Sequence, residues 1–179
     1  TINVDGTNEA CFNTPITEMK PVLSLDGTKI VFMYWNLVGG LRPSVGIMDS
    51  DGTNVQVLTN QNHQNLFPHL SQDGTKIAYE CPIPSTNRYD ICTINTDGTN
   101  LTRITNALNQ SSNRQPAWTL DDKIVFHSNR VPRLSGPNPW APFNLQQASN
   151  WQLFTMNSDG TNQTAITTEF PIGVFFAPA

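Results

Sequence analysis

The stretch "DSDGTNVQVLT", residues 49–59, decides how this chain is organised, because close copies of it recur along the sequence. The similar segments are "NTDGTNLTRIT" (95–105), "NSDGTNQTAIT" (157–167) and "NVDGTNEACFN" (3–13). The shared Asp-Gly-Thr-Asn tetrads begin at Asp5, Asp51, Asp97 and Asp159, with steps of 46, 46 and 62 residues. A fixed period of this length is the signature of a repeat architecture.

A second motif precedes each full copy and repeats with nearly the same period. It reads "PVLSLDGTKIVF" (21–32), "PHLSQDGTKIAY" (68–79) and "PAWTLDDKIVF" (116–126), and its prolines step by 47 and 48 residues. Two independent anchors with one period establish a structural unit of 46 to 48 residues. Each unit contains two tight turns, since Asp-Gly marks a hairpin that needs a residue with positive φ.

The hydrophobic pattern of each unit predicts four short strands and no helix. The second strand alternates, so that Ile30, Phe32 and Tyr34 share one face, as do Ile77 and Tyr79 and then Ile124 and Phe126. Equivalent apolar residues are expected on the third strand at Ile2, Met48, Ile94 and Met156, and on the fourth at Phe12, Leu58, Ile104 and Ile166. The predicted fold class is all-β.

Four-stranded antiparallel units of this length are the blades of β-propellers. The pattern Pro-x-Trp-Ser-x-Asp-Gly-x-Lys-Ile-x-Phe, followed by Asp-Gly-Thr-Asn and Leu-Thr, resembles the TolB-type propeller repeat, a WD-like blade of exported bacterial proteins. We expect one propeller over 1–179, with full blades at 20–66, 67–114 and 115–168 and partial blades at 1–19 and 169–179. The two ends either complete a split fourth blade or, as we favour, belong to a larger ring. The resemblance implies six to eight blades, and another chain could complete a half-ring.

Composition excludes several classes of function. The net charge is −4 with a pI near 5.2, and the ten basic residues are scattered, which argues against a nucleic-acid partner. No apolar run is long enough to predict a membrane span. Charged residues make up only 13%, so the surface is polar through amides and hydroxyls, which favours a periplasmic or extracellular protein. The first residues do not form a signal peptide, so we expect that it has been removed or that the chain is an excerpt.

The Asp-x-Asp-Gly-Thr-Asn segment has two interpretations. It is either a turn whose amides are capped by Asp and Thr side chains, or a calcium-binding loop. An EF-type loop requires a carboxylate at its twelfth position, which from Asp49 is Asn60. We therefore predict turns, with no metal site and no cofactor.

The connection between the second and third strands of the third unit is 13 or 14 residues longer than in the others. This 131–150 loop contains four prolines and two aromatic residues, which favours a surface for a partner or a ligand. An equally open alternative is a lid that packs on the adjacent blade. The predicted binding residues, including one histidine on an innermost strand, are Arg130, Arg133, Trp140, Phe143, Trp151 and His69.

No catalytic set is recognisable in the sequence. Most acidic residues are assigned to turns, and Glu80 and Asp90 are the ones left without a predicted role. Cys81 and Cys92 lie at the end of one predicted strand and within the next, where a disulfide could join them in an oxidising compartment. Cys11 would then be free or paired outside the chain.

Three functions remain open on this evidence, and an enzyme is the least favoured. The first is a non-enzymatic binding or scaffold module that holds a protein partner through the rim and the 131–150 loop. The second is a carbohydrate-binding propeller, in which Trp35, Trp140 or Trp151 stacks on sugars. The third is the propeller portion, a gating domain or subunit, of a larger exported enzyme or redox complex.

Overall fold

The computed structural model describes residues 17–35, 42–59, 62–107, 111–130 and 151–167. Over these ranges the chain forms three four-stranded antiparallel sheets, each a simple meander in sequence order. The first blade contains β1 (Thr17–Leu23), β2 (Lys29–Trp35), β3 (Ser44–Asp49) and β4 (Gln56–Val57). The second contains β5 (Leu66–Leu70), β6 (Lys76–Pro82), β7 (Tyr89–Asn95) and β8 (Thr102–Arg103). The third contains β9 (Asn113–Trp118), β10 (Lys123–Ser128), β11 (Gln152–Asn157) and β12 (Thr164–Ala165).

The prediction of an all-β fold built from four-stranded blades is confirmed. The partial blades predicted at 1–19 and 169–179 lie almost wholly outside the described residues.

The blades pack face to face through alternating side chains of their middle strands. Ile77 and Tyr79 of β6 face the first blade, where they meet Val31, Val45 and Ile47. On the opposite face of the second blade, a separate cluster joins it to the third: Ala78, Ile91, Ile124, Phe126, Phe154 and Met156. Complete burial of one such side chain stabilises a fold by about 1.5–3 kcal/mol. The second blade is therefore covered on both faces.

The fourth strands are shorter than the sequence pattern predicts. Leu58, Ile104 and Ile166 each lie one residue beyond a two-residue strand. Their N–H groups still donate to the third strand, for example from Ile104 to the carbonyl oxygen of Ile91 at 2.9 Å. The threonine that follows each of them accepts the next hydrogen bond through its side chain. The N–H of Ile91, for example, donates to Thr105 Oγ1 at 2.8 Å. A hydroxyl thus replaces a backbone carbonyl and ends the ladder. The fourth equivalent residue, Phe12, is outside the described ranges.

The glycine of the Asp-Gly-Thr-Asn turn has positive φ, and at Gly160 it is also required sterically. Gly98 and Gly160 have φ of +85° and +86°, a conformation that disfavours any residue with a Cβ atom. A Cβ atom at Gly160 would also lie 2.1 Å from the carbonyl oxygen of Ile104, in the preceding blade. At Gly98 the nearest atom would be the side chain of Leu58, again in the preceding blade, at 3.7 Å. Each turn therefore abuts the end of its neighbour's fourth strand.

We predict that Gly160→Ala destabilises the fold more than Gly27→Ala does. Gly27 has a φ of +73° and open space around its missing side chain, so alanine there meets only backbone strain of about 1–2 kcal/mol. At Gly160 the steric clash with the backbone of Ile104 adds a further cost of about 1–3 kcal/mol. Urea unfolding of both variants measures the difference, and equal losses of stability would contradict the packing of turn on blade.

Candidate functional site

The Asp-Gly-Thr-Asn turns bind their own backbone. Asp97 Oδ1 accepts from the N–H of Thr99 at 2.9 Å and from its hydroxyl at 2.6 Å, and Asp51 and Asp159 repeat the arrangement with Thr53 and Thr161. These bonds, with the threonine hydroxyl contributing most, lower the pKa of each carboxyl and keep it ionised. Within the described ranges, no three His, Cys, Asp or Glu side chains converge as a metal site. The geometry favours the turn interpretation.

The innermost strands β1, β5 and β9 share a strained bulge. Lys20, Phe67 and Gln115 each precede a proline and have φ of +54°, +51° and +50°. Proline has no N–H to donate to the ladder, and the register with the second strand shifts at this point in every described blade. The bulges line an open axial cavity of about 310 Å³ together with Pro21, Val22, Pro68, His69 and Pro116.

A second axial cavity of about 170 Å³ lies at the end of the innermost strands where they turn into the second strands. Its walls are Val22, Leu23, Leu25, His69, Leu70, Ser71, Gln72, Trp118, Thr119 and Leu120. His69 borders both cavities, so the structure places this predicted residue on the axis. Its Nδ1 lies 3.3 Å from the backbone N of Trp118, which links the second blade to the third.

Glu80 joins the second and third blades through a buried ion pair. Its Oε2 accepts from Nε and Nη2 of Arg114, both at 3.1 Å, and its Oε1 accepts from the N–H of Gln115 at 2.8 Å. The carboxylate is wholly buried, whereas the guanidinium is partly exposed. Burial raises the pKa of Glu80 above its ordinary value, against the opposing effect of Arg114.

Asp90 is the centre of a second buried network at the same junction. Its Oδ1 accepts from Thr105 Oγ1, the Ala107 N–H and Asn113 Nδ2, each at 2.8 or 2.9 Å. Its Oδ2 accepts from Arg103 Nη1 at 2.9 Å. Glu80 and Asp90, which the sequence left without a role, therefore connect two blades.

The predicted binding residue Arg130 extends this network rather than pointing freely into solvent. Its Nη2 donates to Asn113 Oδ1 at 2.8 Å and its Nη1 to Gln163 Oε1 at 2.5 Å. The guanidinium lies over the rings of Phe126 and Phe154, 5.3 and 4.6 Å from their centroids. Arg130 is thus held at the root of the 131–150 loop.

The other predicted binding residues fall into two groups. Trp151 is the first described residue after the 131–150 loop, and it is 41% exposed. Arg133, Trp140 and Phe143 lie outside the described residues, so their role stays a prediction.

In the second blade the Sγ atoms of Cys81 and Cys92 are bonded and the Cα atoms are 5.7 Å apart, which is the pairing that the sequence predicts. Cys11 is also outside the described ranges.

Charge is segregated between the two edges of the blades. We call the edge with the turns at 24–28, 50–54, 71–75, 96–100, 119–122 and 158–162 the turn face, and the opposite edge the loop face. On the described chain, the turn face carries eight aspartates (26, 49, 51, 73, 97, 121, 122 and 159) against the lysines 29, 76 and 123, a net charge of five negative. The loop half carries six cations (Lys20, Arg42, Arg88, Arg103, Arg114 and Arg130) against Glu18 and the buried Glu80 and Asp90, a net charge of three positive.

Solved structures show what this fold is similar to. A TolB-like protein from Agrobacterium tumefaciens matches with a TM-score of 0.59 and 24% identity, over 86% of this chain and 49% of that one. TolB from Acinetobacter baumannii matches with a TM-score of 0.64 and 18% identity, over 94% and 37%. A puromycin hydrolase matches with a TM-score of 0.61 and 16% identity, over 87% and 24%. No known family and no curated protein matches the sequence.

The described chain is thus a set of β-propeller blades, and its fold is TolB-like. It spans half or less of each of these structures. The part of the chain that the structure describes contains no helix that could cross a membrane.

We predict that Glu80→Gln flattens the dependence of stability on pH. The folded protein binds the Glu80 proton more tightly than the unfolded chain does, because burial raises the pKa above 4.5. The free energy of unfolding therefore falls as pH rises from the ordinary value of about 4.5 through the raised pKa. The free energy of unfolding should be measured with urea at steps from about pH 4.5 to 7. Over this range it should fall more steeply with pH in the parent protein than in the variant. Parallel plots of unfolding free energy against pH for the two proteins would contradict this prediction.

We also predict that the disulfide contributes to stability. The bonded residues are 11 apart, and closing a loop of that size stabilises a fold by about 3 kcal/mol. Protein purified from its native compartment should take up thiol-blocking reagent at Cys81 and Cys92 only after reduction, as mass measurement will show. Cys81→Ala/Cys92→Ala should unfold at lower urea concentration. Labelling of both thiols without reductant would refute the pairing.

Proposed function

We propose that this chain is a non-enzymatic binding module that holds a protein partner at its loop face. The observation that carries the proposal is the concentration of arginine there, where Arg103 and Arg114 pair with the buried Asp90 and Glu80 and yet keep side chains that are 37% and 35% exposed. Arginine is enriched at protein interfaces and forms bidentate bonds with carboxylates. We therefore infer an acidic partner surface, and we propose that the 131–150 loop, which connects Arg130 to Trp151 along the chain, contributes to the same interface.

The architecture proposed around this face follows the repeat bounds. Blades at 20–66, 67–114 and 115–168 present three successive connections between second and third strands, and the segments 1–19 and 169–179 contribute to further blades of a larger ring or one completed by another chain. The Cys81–Cys92 bond and the TolB-like fold support an oxidising location, periplasmic or extracellular.

The experiment places a photo-reactive benzophenone amino acid at Trp151 on the loop face and, as a control, at the exposed Leu101 beside a turn. Irradiation of living cells of the source should give a discrete heavier adduct from the Trp151 position and none of the same mass from Leu101. Replacing 131–150 by a short Gly-Ser linker should reduce that adduct. No adduct at Trp151, or the same adduct at both positions, would contradict the proposal.

A carbohydrate-binding function has one observation in its favour. Trp35 ends β2 and Trp151 lies just before β11, so both stand at the loop face, and they are 37% and 41% exposed. Exposed indole rings stack on the apolar faces of sugars. A glycan array distinguishes this candidate from a protein partner, because hits lost in Trp151→Ala but retained in Leu101→Ala would establish a lectin.

A role within a larger enzyme rests on the comparison with puromycin hydrolase, of which this chain spans only about a quarter. In that case the catalytic residues would lie outside these 179 residues. The test of this role is to sequence the native protein beyond both ends of this chain and to assay the whole protein for peptide hydrolysis.

A further inference from the structure

The turn face contains an apolar centre that the packing of the three described blades leaves exposed. The cavity of about 170 Å³ opens there, and three leucines stand at its mouth. Leu23, Leu25 and Leu120 are 57%, 69% and 79% exposed. In the second blade the residue equivalent to Leu23 is the buried Leu70, and the residue equivalent to Leu25 is the polar Gln72. Exposed apolar groups that cluster at a cavity indicate a binding surface more than scattered ones do.

Ionised carboxylates surround this apolar centre. Asp26 and Asp121 directly follow Leu25 and Leu120, and Asp73 occupies the same position in the second blade. Hydrogen bonds from the neighbouring Ser24 and Ser71 hydroxyls lower the pKa of Asp26 and Asp73. For Asp121 the contact with Lys123 lowers the pKa to about 2. All three are therefore charged at neutral pH, and the surface as a whole is strongly negative.

Trp118, one of the residues that line the cavity, also carries a hydrogen-bond donor without an acceptor. Among the described residues, no group accepts from Nε1 of Trp118, although that atom is shielded from solvent. A buried N–H without a partner costs about 1–3 kcal/mol, so an acceptor supplied from outside is favoured. The carbonyl oxygens of a peptide backbone are suitable acceptors.

From these observations we propose that the turn face is a second docking surface, which binds a basic peptide segment of another protein. An apolar side chain of the segment enters the cavity between Leu25 and Leu120, flanking Lys or Arg residues approach the aspartates, and a peptide carbonyl accepts from Trp118 Nε1. Anionic lipid and nucleic acid share the sign of this face and are repelled by it. A neutral glycan would leave the carboxylates unmatched. The surface is separate from the loop face, so the proposal does not depend on the proposed function.

The test is selection of peptides from a random library displayed on phage, with the whole chain immobilised. Enriched sequences should combine Leu, Ile or Phe with Lys or Arg, and a synthetic copy of one should bind less tightly as salt rises. Leu25→Ser/Leu120→Ser should weaken that peptide by roughly tenfold or more, because the buried apolar contact is lost. Leu101→Ser, which removes a leucine that is 59% exposed but does not line the cavity, is the matched control and should change binding less than twofold.

Two further variants examine the polar part of the surface. Trp118→Phe retains an aromatic ring but removes the donor, and should weaken the peptide by about three- to tenfold. Asp26→Asn/Asp73→Asn retains Oδ1 as an acceptor in each turn, replaces the second oxygen that accepts from a threonine hydroxyl, and removes two charges, so it should reduce both affinity and its salt dependence. Circular dichroism and urea unfolding verify that each variant is folded.

Several results would overturn the proposal. These are enrichment of acidic or uncharged peptides, no enrichment above background, or peptide binding that Leu25→Ser/Leu120→Ser leaves unchanged. Self-association that those substitutions abolish would show that a second copy of this chain occupies the face instead, and would equally contradict a peptide partner.

Discussion

The whole structure depends on one constraint: a four-stranded sheet with two apolar faces is stable only when both faces are covered. The second blade meets this condition within the described chain, since one face of β6 packs on the first blade and the other on the third. Blades covered in this way must stand side by side around a common axis. That arrangement brings the innermost strands together and creates the axial cavities.

The two junctions around the second blade differ in chemistry. The cluster that joins it to the first blade is apolar, whereas the junction with the third blade adds Glu80 and Asp90, each with arginine and amide partners. Removing one member of a buried ion pair leaves an uncompensated charge, which destabilises by about 3–5 kcal/mol. The polar junction is therefore sensitive to mutation, and through Asn113 and Arg130 it also fixes the root of the 131–150 loop.

The sequence predicted the elements that depend on local chemistry. Asp-Gly-Thr-Asn requires a turn because its aspartate binds the threonine two residues later, and the alternation of Ile77 and Tyr79 follows from the pleat of a strand. Both interactions lie within a few residues, so one blade is enough to recognise them. Repetition then showed that several blades follow each other.

Features that join distant residues could not be predicted in the same way. Glu80 meets Gln115 across 35 positions, and that contact depends on how one blade is rotated against the next, which no motif encodes. The early end of the fourth strands depends on the hydroxyl of Thr105 replacing a carbonyl. Its only sequence signal is the threonine that follows each of Leu58, Ile104 and Ile166, which is equally typical of an ordinary strand.

Hydrogen exchange of backbone amides, followed by mass spectrometry of the native protein, tests the radial arrangement most directly. A blade flanked on both sides should open only when the whole fold unfolds. The account predicts that β6 and β7 exchange most slowly and that their rates match global unfolding in urea, while the exposed β8 and β12 exchange much faster. Exchange in β6 and β7 that is much faster than global unfolding would show that the sheets do not shelter one another.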